Sequence, residues 1–248
     1  MSRKEHLYKI YGFAKNKIVP NLKYSQELYE DVLLSVVREN INWLDLGCGH
    51  QLLPQWRFEQ EKALIGRAAN IIGIDYDFPS LTKHQTISNV IQGKIDSLPF
   101  KDDYFDVATA NMVVEHLDNP GIQFSEINRV LKPGGIFIFH TPNEFGYFSR
   151  MRKALPKVLV KKMAKMLDDR DFEDVFEVHY KANSREKIQT LAEKTNFEVE
   201  KVKYISSDAV GAIIPPVAVA ELLWIRMLMA KRLRRLRTNL IVILRKRS

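Results

Sequence analysis

Cysteine is almost absent from the 248-residue chain, in which Cys48 stands alone. An internal disulfide and a cysteine-rich metal site are therefore excluded, and we expect a cytoplasmic protein. No clean apolar run follows the polar start Met-Ser-Arg-Lys-Glu-His, so we expect no signal peptide. Internal repeats and low-complexity stretches are also missing. The content of 46% hydrophobic and 27% charged residues is typical of a globular protein.

Acidic residues are missing from the final stretch of the sequence. From Arg226 to Ser248 there are nine Lys or Arg residues and no Asp or Glu. The whole chain has 38 bases and 30 acids, a formal charge of +8, so residues 1–225 carry 29 bases against 30 acids, a net charge of −1. This asymmetry indicates contact with an anionic surface, either a membrane or a nucleic acid.

Short apolar runs alternate with segments of helical periodicity along most of the chain. The pattern predicts strands at 41–46, 70–75, 90–91, 104–110, 136–140, 197–205 and 239–244. It predicts helices at 24–39, 51–68, 78–88, 120–131 and 184–195, with the sequence 132–135 ending the fourth of these and turning the chain. Such alternation predicts an α/β fold with a doubly wound, mostly parallel sheet. We expect one domain over residues 1–248, with helical inserts at about 144–178 and 208–238.

Candidate binding residues cluster where three predicted strands end. Asp45-Leu46-Gly47-Cys48-Gly49 joins an acid to two glycines, which allow a tight turn and close approach of a ligand to the backbone. Asp75 ends the second strand, as an acid that holds a ribose diol would. Asp96, just beyond the third strand, is suited to accept from an adenine amino group. Each residue alone also fits a structural turn or a solvated loop. Together they match the amine, ribose and adenine of S-adenosylmethionine.

The motifs resemble those of class I S-adenosylmethionine-dependent methyltransferases, in particular the small-molecule branch with ubiquinone- and menaquinone-pathway enzymes. The resemblance runs from about Asn40 to Asn143 and resumes from about His179 to Arg245. It rests on seven segments in order: 44–49, 73–75, 96–100, 104–107, 114–117, 131–135 and 141–143.

The resemblance implies a sheet of seven strands whose last strand is antiparallel. It implies that Asp45, Gly47, Cys48 and Gly49 form the cofactor loop, with the glycines along the methionine portion. Other implied roles concern the nucleoside: Asp75 on the ribose, Tyr76 beside the adenine, Ile95 and Asp96 framing the adenine, and Asn111 closing the site.

The sequence also departs from two related groups. A metal-dependent subgroup has Glu three residues before its Glu-His pair, whereas Met112 stands there in this chain, so we predict no metal at Glu115 and His116. The Asn/Asp-Pro-Pro-aromatic motif of amino-methylating nucleic-acid enzymes is absent after the fourth strand, which lowers the expectation of base methylation.

Three histidines are candidates for a general base, which would help if the acceptor is a hydroxyl. His140 ends the fifth predicted strand, His179 follows the first insert, and His116 is beside the cofactor loop. A structural role remains the alternative for each of them. Asn143 is a further candidate, for orienting the acceptor.

The second insert has the composition of an interfacial helix. Ala209 to Ala220 are uncharged, and an Arg-rich stretch follows Trp224. Leu222, Ile225 and Met229, with Leu233 and Leu236, fall on one helical stripe. The segment is too short and interrupted to span a bilayer, and it is typical of peripheral membrane contact. A lid helix with a solvated basic face is the alternative. The first insert is also basic and rich in apolar residues in its first half.

We therefore predict methyl transfer to a small-molecule or lipid-linked acceptor, with an anionic membrane surface as a partner. An RNA methyltransferase that uses the basic stretch is one alternative, although few aromatic residues are interleaved with the bases. A nicotinamide-dependent oxidoreductase is disfavoured because Leu52 stands where the dinucleotide fingerprint needs its third glycine. A cofactor-binding scaffold without catalysis is the remaining alternative.

Overall fold

A computed structural model describes residues 3–154, 177–212 and 214–248. Most of the predicted insert at 144–178 therefore lies outside the described residues. The chain divides into two compact units. The sheet unit comprises residues 26–142, 178–203 and 240–248, and the helical unit is drawn from residues 1–25, 143–177 and 204–239. The assignment of the whole chain to one domain with two inserts stays a prediction.

The described residues form one mixed, seven-stranded sheet, as predicted. Its strands are β1 (Asn42–Leu46), β2 (Asn70–Asp75), β3 (Val90–Gln92), β4 (Phe105–Asn111), β5 (Leu131–Pro142), β6 (Phe197–Ile205) and β7 (Asn239–Lys246). Their order across the sheet is β3-β2-β1-β4-β5-β7-β6. The pairs β1–β2, β1–β4, β2–β3 and β4–β5 are parallel.

The central strands are buried because helices cover both faces of a doubly wound sheet. Their apolar residues therefore come in continuous runs rather than in alternation, as in β7, where the five consecutive residues from Leu240 to Leu244 are all buried. Phe124, on a helix over the sheet, packs edge-on against Phe137 of β5, with ring centroids 5.4 Å apart. This core fixes the strand ends on which the candidate site is built.

Helices connect the strands and add to the helical unit. They are α1 (Arg3–Ile18), α2 (Ser25–Val36), α3 (Phe58–Ile65), α4 (Phe78–Leu81), α5 (Pro120–Val130), α6 (Tyr147–Ala154), α7 (Arg185–Lys194) and α8 (Pro215–Leu228). The side chain of Ser184 accepts a hydrogen bond from the Lys187 backbone N–H and caps α7, as the sequence predicted. Short 3-10 turns lie at Gln55–Arg57, Val114–His116 and Lys231–Leu236.

Three predicted boundaries were wrong for local reasons. The helix expected at 51–68 begins only at Phe58, after a 3-10 turn that follows Pro54. The helix expected at 78–88 ends at Leu81. Residues 132–135 belong to β5 instead of turning the chain, because a register shift opposite, between Phe105 and Val107, accommodates the irregular start of the strand.

The helical unit is built around contacts between α1 and α8, and α1 was not predicted. Tyr11 and Val19 share an apolar cluster with Ala218, Leu222 and Ile225 of α8. Polar contacts surround that cluster, since Asp208 accepts hydrogen bonds from the Tyr11 hydroxyl and from Lys15 Nζ, the latter at 2.8 Å. Asn143, the candidate for orienting an acceptor, is buried here and donates from Nδ2 to the backbone oxygens of Arg235 and Arg237 at 2.8 and 2.7 Å.

The helices of the described residues include none with the length and apolar character needed to cross a bilayer.

Candidate functional site

The candidate site lies where the order of the strands reverses. β2 and β3 extend the sheet on one side of β1, while β4 and β5 extend it on the other. Asp45 of β1 is in register with Gly73 of β2 and with Thr109 of β4. The carboxyl ends of these three strands therefore lie side by side, and the crevice at such a switch point is where doubly wound sheets bind ligands.

Asp45 is a buried carboxyl group at this crevice. Thr109 Oγ1 donates to Asp45 Oδ1 at 2.6 Å, and Trp43 Nε1 donates to the same hydroxyl at 2.8 Å. Because Thr109 has a single hydroxyl proton, the bond from Trp43 leaves that proton directed at Asp45. Burial raises the pKa of Asp45 from 3.8 to about 7, and the nearby carboxylates of Glu61 and Asp75 add to the rise. A cation placed beside Asp45 would favour its ionised form.

The loop after β1 depends on glycine at two positions. Gly47 has φ +63, and a Cβ built there would lie 2.5 Å from Val113 Cγ2. Gly49 has φ +51, and a Cβ there would meet nothing within 4 Å. The N–H groups of Gly47 and Cys48 both donate to the Ile74 oxygen, at 2.7 and 3.2 Å. The loop is thus bent back onto β2, with open space beside Gly49.

Cys48 packs on the buried side of this loop, against Gly73 of β2. Its side chain is buried, and burial raises the pKa of the thiol well above its usual range. A Cβ added at Gly73 would lie 2.7 Å from Cys48 Sγ, so the thiol fills the space that the glycine leaves on β2. A role for Cys48 as a direct cofactor contact stays a prediction.

Asp75 connects the glycine loop to the end of β2. Its Oδ2 accepts from the Gly49 N–H at 2.9 Å, and its Oδ1 accepts from the Asp77 N–H at 2.8 Å. The next residue, Tyr76, is 53% exposed, and its backbone oxygen accepts from Gln92 Nε2 at 3.1 Å. The carboxylate is thus held at the strand end with further acceptor capacity, and an aromatic ring lies next to it in sequence.

Asp96 is held by a residue that the sequence analysis missed. Gln123 of α5 is buried and donates from Nε2 to Asp96 Oδ1 at 2.6 Å. From the same helix, Glu126 Oε2 accepts from the Leu98 N–H at 2.9 Å. These bonds attach the loop containing Ile95 and Asp96 to α5, with Asp96 exposed and Ile95 half-buried. The only signal in the sequence was a Gln next to Phe124 on a helix predicted to be amphipathic.

Asn111 and His140 form one hydrogen-bonded pair at the ends of β4 and β5. Asn111 Nδ2 donates to Gln26 Oε1 at 2.9 Å and to the Leu52 oxygen at 3.2 Å, so Asn111 Oδ1 faces His140 Nδ1 at 3.0 Å as an acceptor. His140 Nδ1 therefore carries the proton. The imidazole is fully buried, and burial lowers its pKa to about 3, so it is neutral at physiological pH. Tyr29 stacks on it, with ring centroids 5.6 Å apart.

The other two candidate histidines lie beside Glu115, another residue that the sequence analysis did not select. His116 Nε2 is 3.9 Å from Glu115 Oε1, and the His179 N–H donates to the Glu115 backbone oxygen at 2.8 Å. Glu115 Oε2 accepts from the Thr141 hydroxyl at 2.8 Å, and that hydroxyl accepts from Asn183 Nδ2 at 2.7 Å. Burial raises the pKa of Glu115 from 4.5 to about 7. His116 keeps 28% of its side chain exposed.

The structure thus brings the predicted residues into three groups. Gly49 and Asp75 are in contact near Asp45, Asn111 pairs with His140, and His116 and His179 share Glu115. Asp96 is held separately, by α5. No group of three or more potential metal ligands with metal-binding geometry occurs in the described part of the chain, and the absence of a metal at Glu115 and His116 stays a prediction.

Comparison with known proteins assigns this architecture. A family model described as "Methyltransferase domain" matches residues 44–139. The demethylmenaquinone methyltransferase of Staphylococcus carnosus is 32% identical over 108 residues, which are 41% of this chain and 43% of that enzyme. The one from Staphylococcus haemolyticus is 23% identical over 212 residues, 82% of this chain and 84% of that enzyme. The match to the S. carnosus enzyme thus spans less than half of that enzyme's length.

A solved S-adenosylmethionine-dependent methyltransferase from Mesorhizobium loti has the same fold. It superposes with a TM-score of 0.55 at 20% identity, over 88% of this chain and 95% of that one. Residues 44–139 thus match the methyltransferase-domain family, and the fold is that of S-adenosylmethionine-dependent methyltransferases. The predicted fold is thereby confirmed, and the matches support the predicted enzyme class and the predicted cofactor, S-adenosylmethionine.

The residues of the candidate site fit S-adenosylmethionine. Asp45 is a buried carboxyl group whose raised pKa an ammonium or sulfonium cation would lower. Open space lies beside Gly49, and Asp75 is held facing the same loop. The residue-by-residue cofactor contacts, including those of Tyr76, Ile95, Asp96 and Asn111, stay predictions.

Proposed function

We propose that the protein transfers the methyl group of S-adenosylmethionine to a small-molecule or lipid-linked acceptor. The contact between Gly49 and Asp75 at the switch point carries this proposal, because it joins a bent glycine loop to an acid suited to a ribose diol. The two staphylococcal relatives support a lipid acceptor, since their names give demethylmenaquinone as the compound they methylate. Demethylmenaquinone is a lipid quinone.

The protein's own contribution is to hold the two reactants in line and to accept a proton. When bound, S-adenosylmethionine supplies a methyl group that its sulfonium already activates. Asp45 would bind its cationic end, Asp75 would bind the ribose, and the loop containing Ile95 and Asp96 would hold the adenine. Placing donor and acceptor in line is the larger part of catalysis for such a reaction.

A proton must leave the acceptor if the methylated atom is a hydroxyl oxygen or an acidic carbon. His116 fits this task best among the three candidate histidines, because it is partly exposed and lies near the buried carboxyl of Glu115. A general base works best with a pKa near the operating pH. His140 does not meet that condition, since burial lowers its pKa to about 3, which makes it too weak a base to take a proton near neutral pH, and its Nδ1 is bound to Asn111.

Transfer of a labelled methyl group from the cofactor to a cellular extract tests the proposal. The extract is divided into lipid, RNA and protein fractions, and each is incubated with the enzyme or with the Asp75→Ala variant. Label in the lipid or small-molecule fraction that depends on Asp75 supports the proposal. Label confined to RNA would favour the alternative that the basic stretch suggests. Tight binding of S-adenosylhomocysteine with no label in any fraction would favour a cofactor-binding scaffold.

A further inference from the structure

Helix α8 (Pro215–Leu228) is apolar on its exposed side as well as on its buried side. Its inward residues pack on α1 in the cluster described above. Its exposed residues are Pro216, Val217, Val219, Ala220, Leu223, Arg226 and Met227. Arg226 is the one charged residue among these. A helix with one face in water normally has polar and charged residues there, so this outer face is unusual for a surface helix.

Four of the exposed residues form a stripe along the helix. Pro216, Ala220, Leu223 and Met227 are spaced by four, three and four positions, which places them on one side. Leu223 is 51% exposed and Met227 is 56% exposed. We call these four residues the outer stripe. Leu222 and Ile225, from the stripe that the sequence suggested, are buried, whereas Met229 of that stripe is 45% exposed and follows the outer stripe in the chain.

Two acids of the helical unit have partners within it, whereas three bases that follow α8 are exposed. Glu221 of α8 is engaged within the unit, accepting from the Tyr147 hydroxyl at 2.8 Å and from the Gly211 N–H at 2.9 Å. Asp208 is likewise held by Tyr11 and Lys15. In contrast, Lys231, Arg232 and Arg234 of the 3-10 turn that follows α8 are exposed. An apolar stripe is thus followed, after three residues, by a basic segment without acids.

We propose that the outer stripe and the basic turn at Lys231–Leu236 dock on an anionic lipid bilayer surface. Apolar side chains that enter the headgroup region and bases that meet anionic lipid are the two components of interfacial binding. This inference rests on the proposed function and deepens it, since docking would supply a lipid-linked acceptor from the membrane.

The observations favour a bilayer over two other occupants. Proteins bind RNA with basic residues that contact the phosphates and aromatic side chains that stack on the nucleobases, whereas the outer stripe is aliphatic. A second copy of this chain would bring its own basic turn to the same region, and two such turns would repel each other. Trp224 packs edge-on against Tyr147 within the unit, at 6.4 Å between ring centroids, so the proposal does not depend on it.

Flotation of the full-length protein with lipid vesicles tests the proposal. We expect binding to vesicles of phosphatidylglycerol and phosphatidylcholine, weak binding to phosphatidylcholine alone, and weaker binding at high salt. The double variant Leu223→Asp/Met227→Asp should bind about tenfold less or weaker still, from the apolar burial it loses. Lys231→Glu/Arg232→Glu should lose about fivefold for each basic residue removed.

The control is Ile122→Asp, which places one such charge at an apolar position that is as exposed as Leu223, at 51%, but lies on α5 of the sheet unit. It should leave vesicle binding unchanged. Each variant is checked for folding by thermal melting and for binding of S-adenosylhomocysteine by calorimetry.

Several outcomes would overturn the inference. The inference is wrong if the wild-type protein does not float with anionic vesicles. It is also wrong if Ile122→Asp loses as much vesicle binding as Leu223→Asp/Met227→Asp. A dimer in light scattering that Leu223→Asp/Met227→Asp dissociates, without vesicle binding, would assign the stripe to a second copy. Because S-adenosylhomocysteine binding is measured in parallel, loss of docking is distinguished from failure of the proposed function, which would show as absent nucleoside binding.

Discussion

The backbone N–H of Gly49 donates to the carboxylate of Asp75 at 2.9 Å, and this bond couples the glycine loop to the second strand. The residue that we propose to hold a ribose hydroxyl is thereby also a structural support for the neighbouring loop. Since the other oxygen of Asp75 accepts from the Asp77 N–H, the carboxylate has a fixed orientation before any ligand binds. Such preorganisation lowers the entropic cost of binding.

Replacing Asp75 should weaken nucleoside binding strongly. Asp75→Ala removes a charged acceptor worth about 1.5–3 kcal/mol per hydrogen bond, so the dissociation constant of S-adenosylhomocysteine should rise about 10- to 100-fold. Isothermal titration calorimetry measures it. Asp102→Ala is the matched control, because that carboxylate is mostly exposed and pairs with Arg129. Equal affinity of the Asp75 variant and the wild type would refute the assignment.

Gly47→Ala should destabilise the protein by two separable effects. Its positive φ costs a β-carbon about 1–2 kcal/mol, and the new carbon would lie 2.5 Å from Val113 Cγ2. Gly134→Ala is the control, since its φ is +76 while a Cβ there meets nothing within 4 Å. Urea unfolding should show a larger loss for Gly47→Ala than for Gly134→Ala.

Adding Val113→Ala tests whether the clash explains that excess. In a double-mutant cycle, the loss caused by Gly47→Ala should be smaller in the Val113→Ala background. Additive losses would show that backbone strain alone is responsible.

The burial of Asp45 should make ligand-free stability depend on pH. Its pKa is raised from 3.8 to about 7 in the folded protein, so the folded state binds more protons than the unfolded state between these values. Its contribution is therefore fully present below about pH 4 and is lost as the pH rises through 7. The free energy of unfolding of Asp45→Asn should fall less over this window than that of the wild type.

The same substitution should weaken binding of the cationic cofactor, because the amide carries no charge. Comparing S-adenosylmethionine with a neutral adenosine probe separates the charge effect from the shape of the pocket. A wild type and an Asp45→Asn variant with parallel stability curves from pH 4 to 8 would contradict the pKa assignment.

The histidines should separate into a catalytic and a structural residue. Loss of a general base typically lowers the rate about 100- to 10,000-fold, so His116→Asn should reduce methyl transfer by that factor while leaving S-adenosylhomocysteine affinity unchanged. His140→Asn should instead lower the free energy of unfolding, because it disturbs the buried bond with Asn111. Methyl transfer abolished in a well-folded His140→Asn protein, but intact in His116→Asn, would reverse these roles.

The sequence predicted the sheet well because the signals were local. Strand β6 was predicted with its observed bounds, and the Ser184 cap of α7 was also correct, since short apolar runs and capping residues determine structure within a few residues. Helix α1 was missed because its hydrophobic pattern is weak, and its place is determined by the contact of Tyr11 with Asp208, which lies 197 positions away.

The same distinction applies to the site. The loop of Gly47 and Gly49 was recognisable because a strand, an acid and two glycines follow one another. Glu115, Gln123 and Asn183 were missed because their roles depend on burial and on partners from other elements, which spacing in one sequence does not reveal. Which face of α8 is buried could likewise not be predicted from the sequence, because both faces are apolar. Only the packing against α1 determines it.

The position of β7 bears on how the protein is made. It follows β6 in the chain, yet it lies between β5 and β6 in the sheet. During translation β6 is therefore made before β7, the strand that joins it to the rest of the sheet. Until β7 has been made, the edge of β6 has no neighbouring strand to pair with. Closure of this side of the sheet is thus a late step in folding, and an unpaired strand edge is open to wrong pairing until that step is complete.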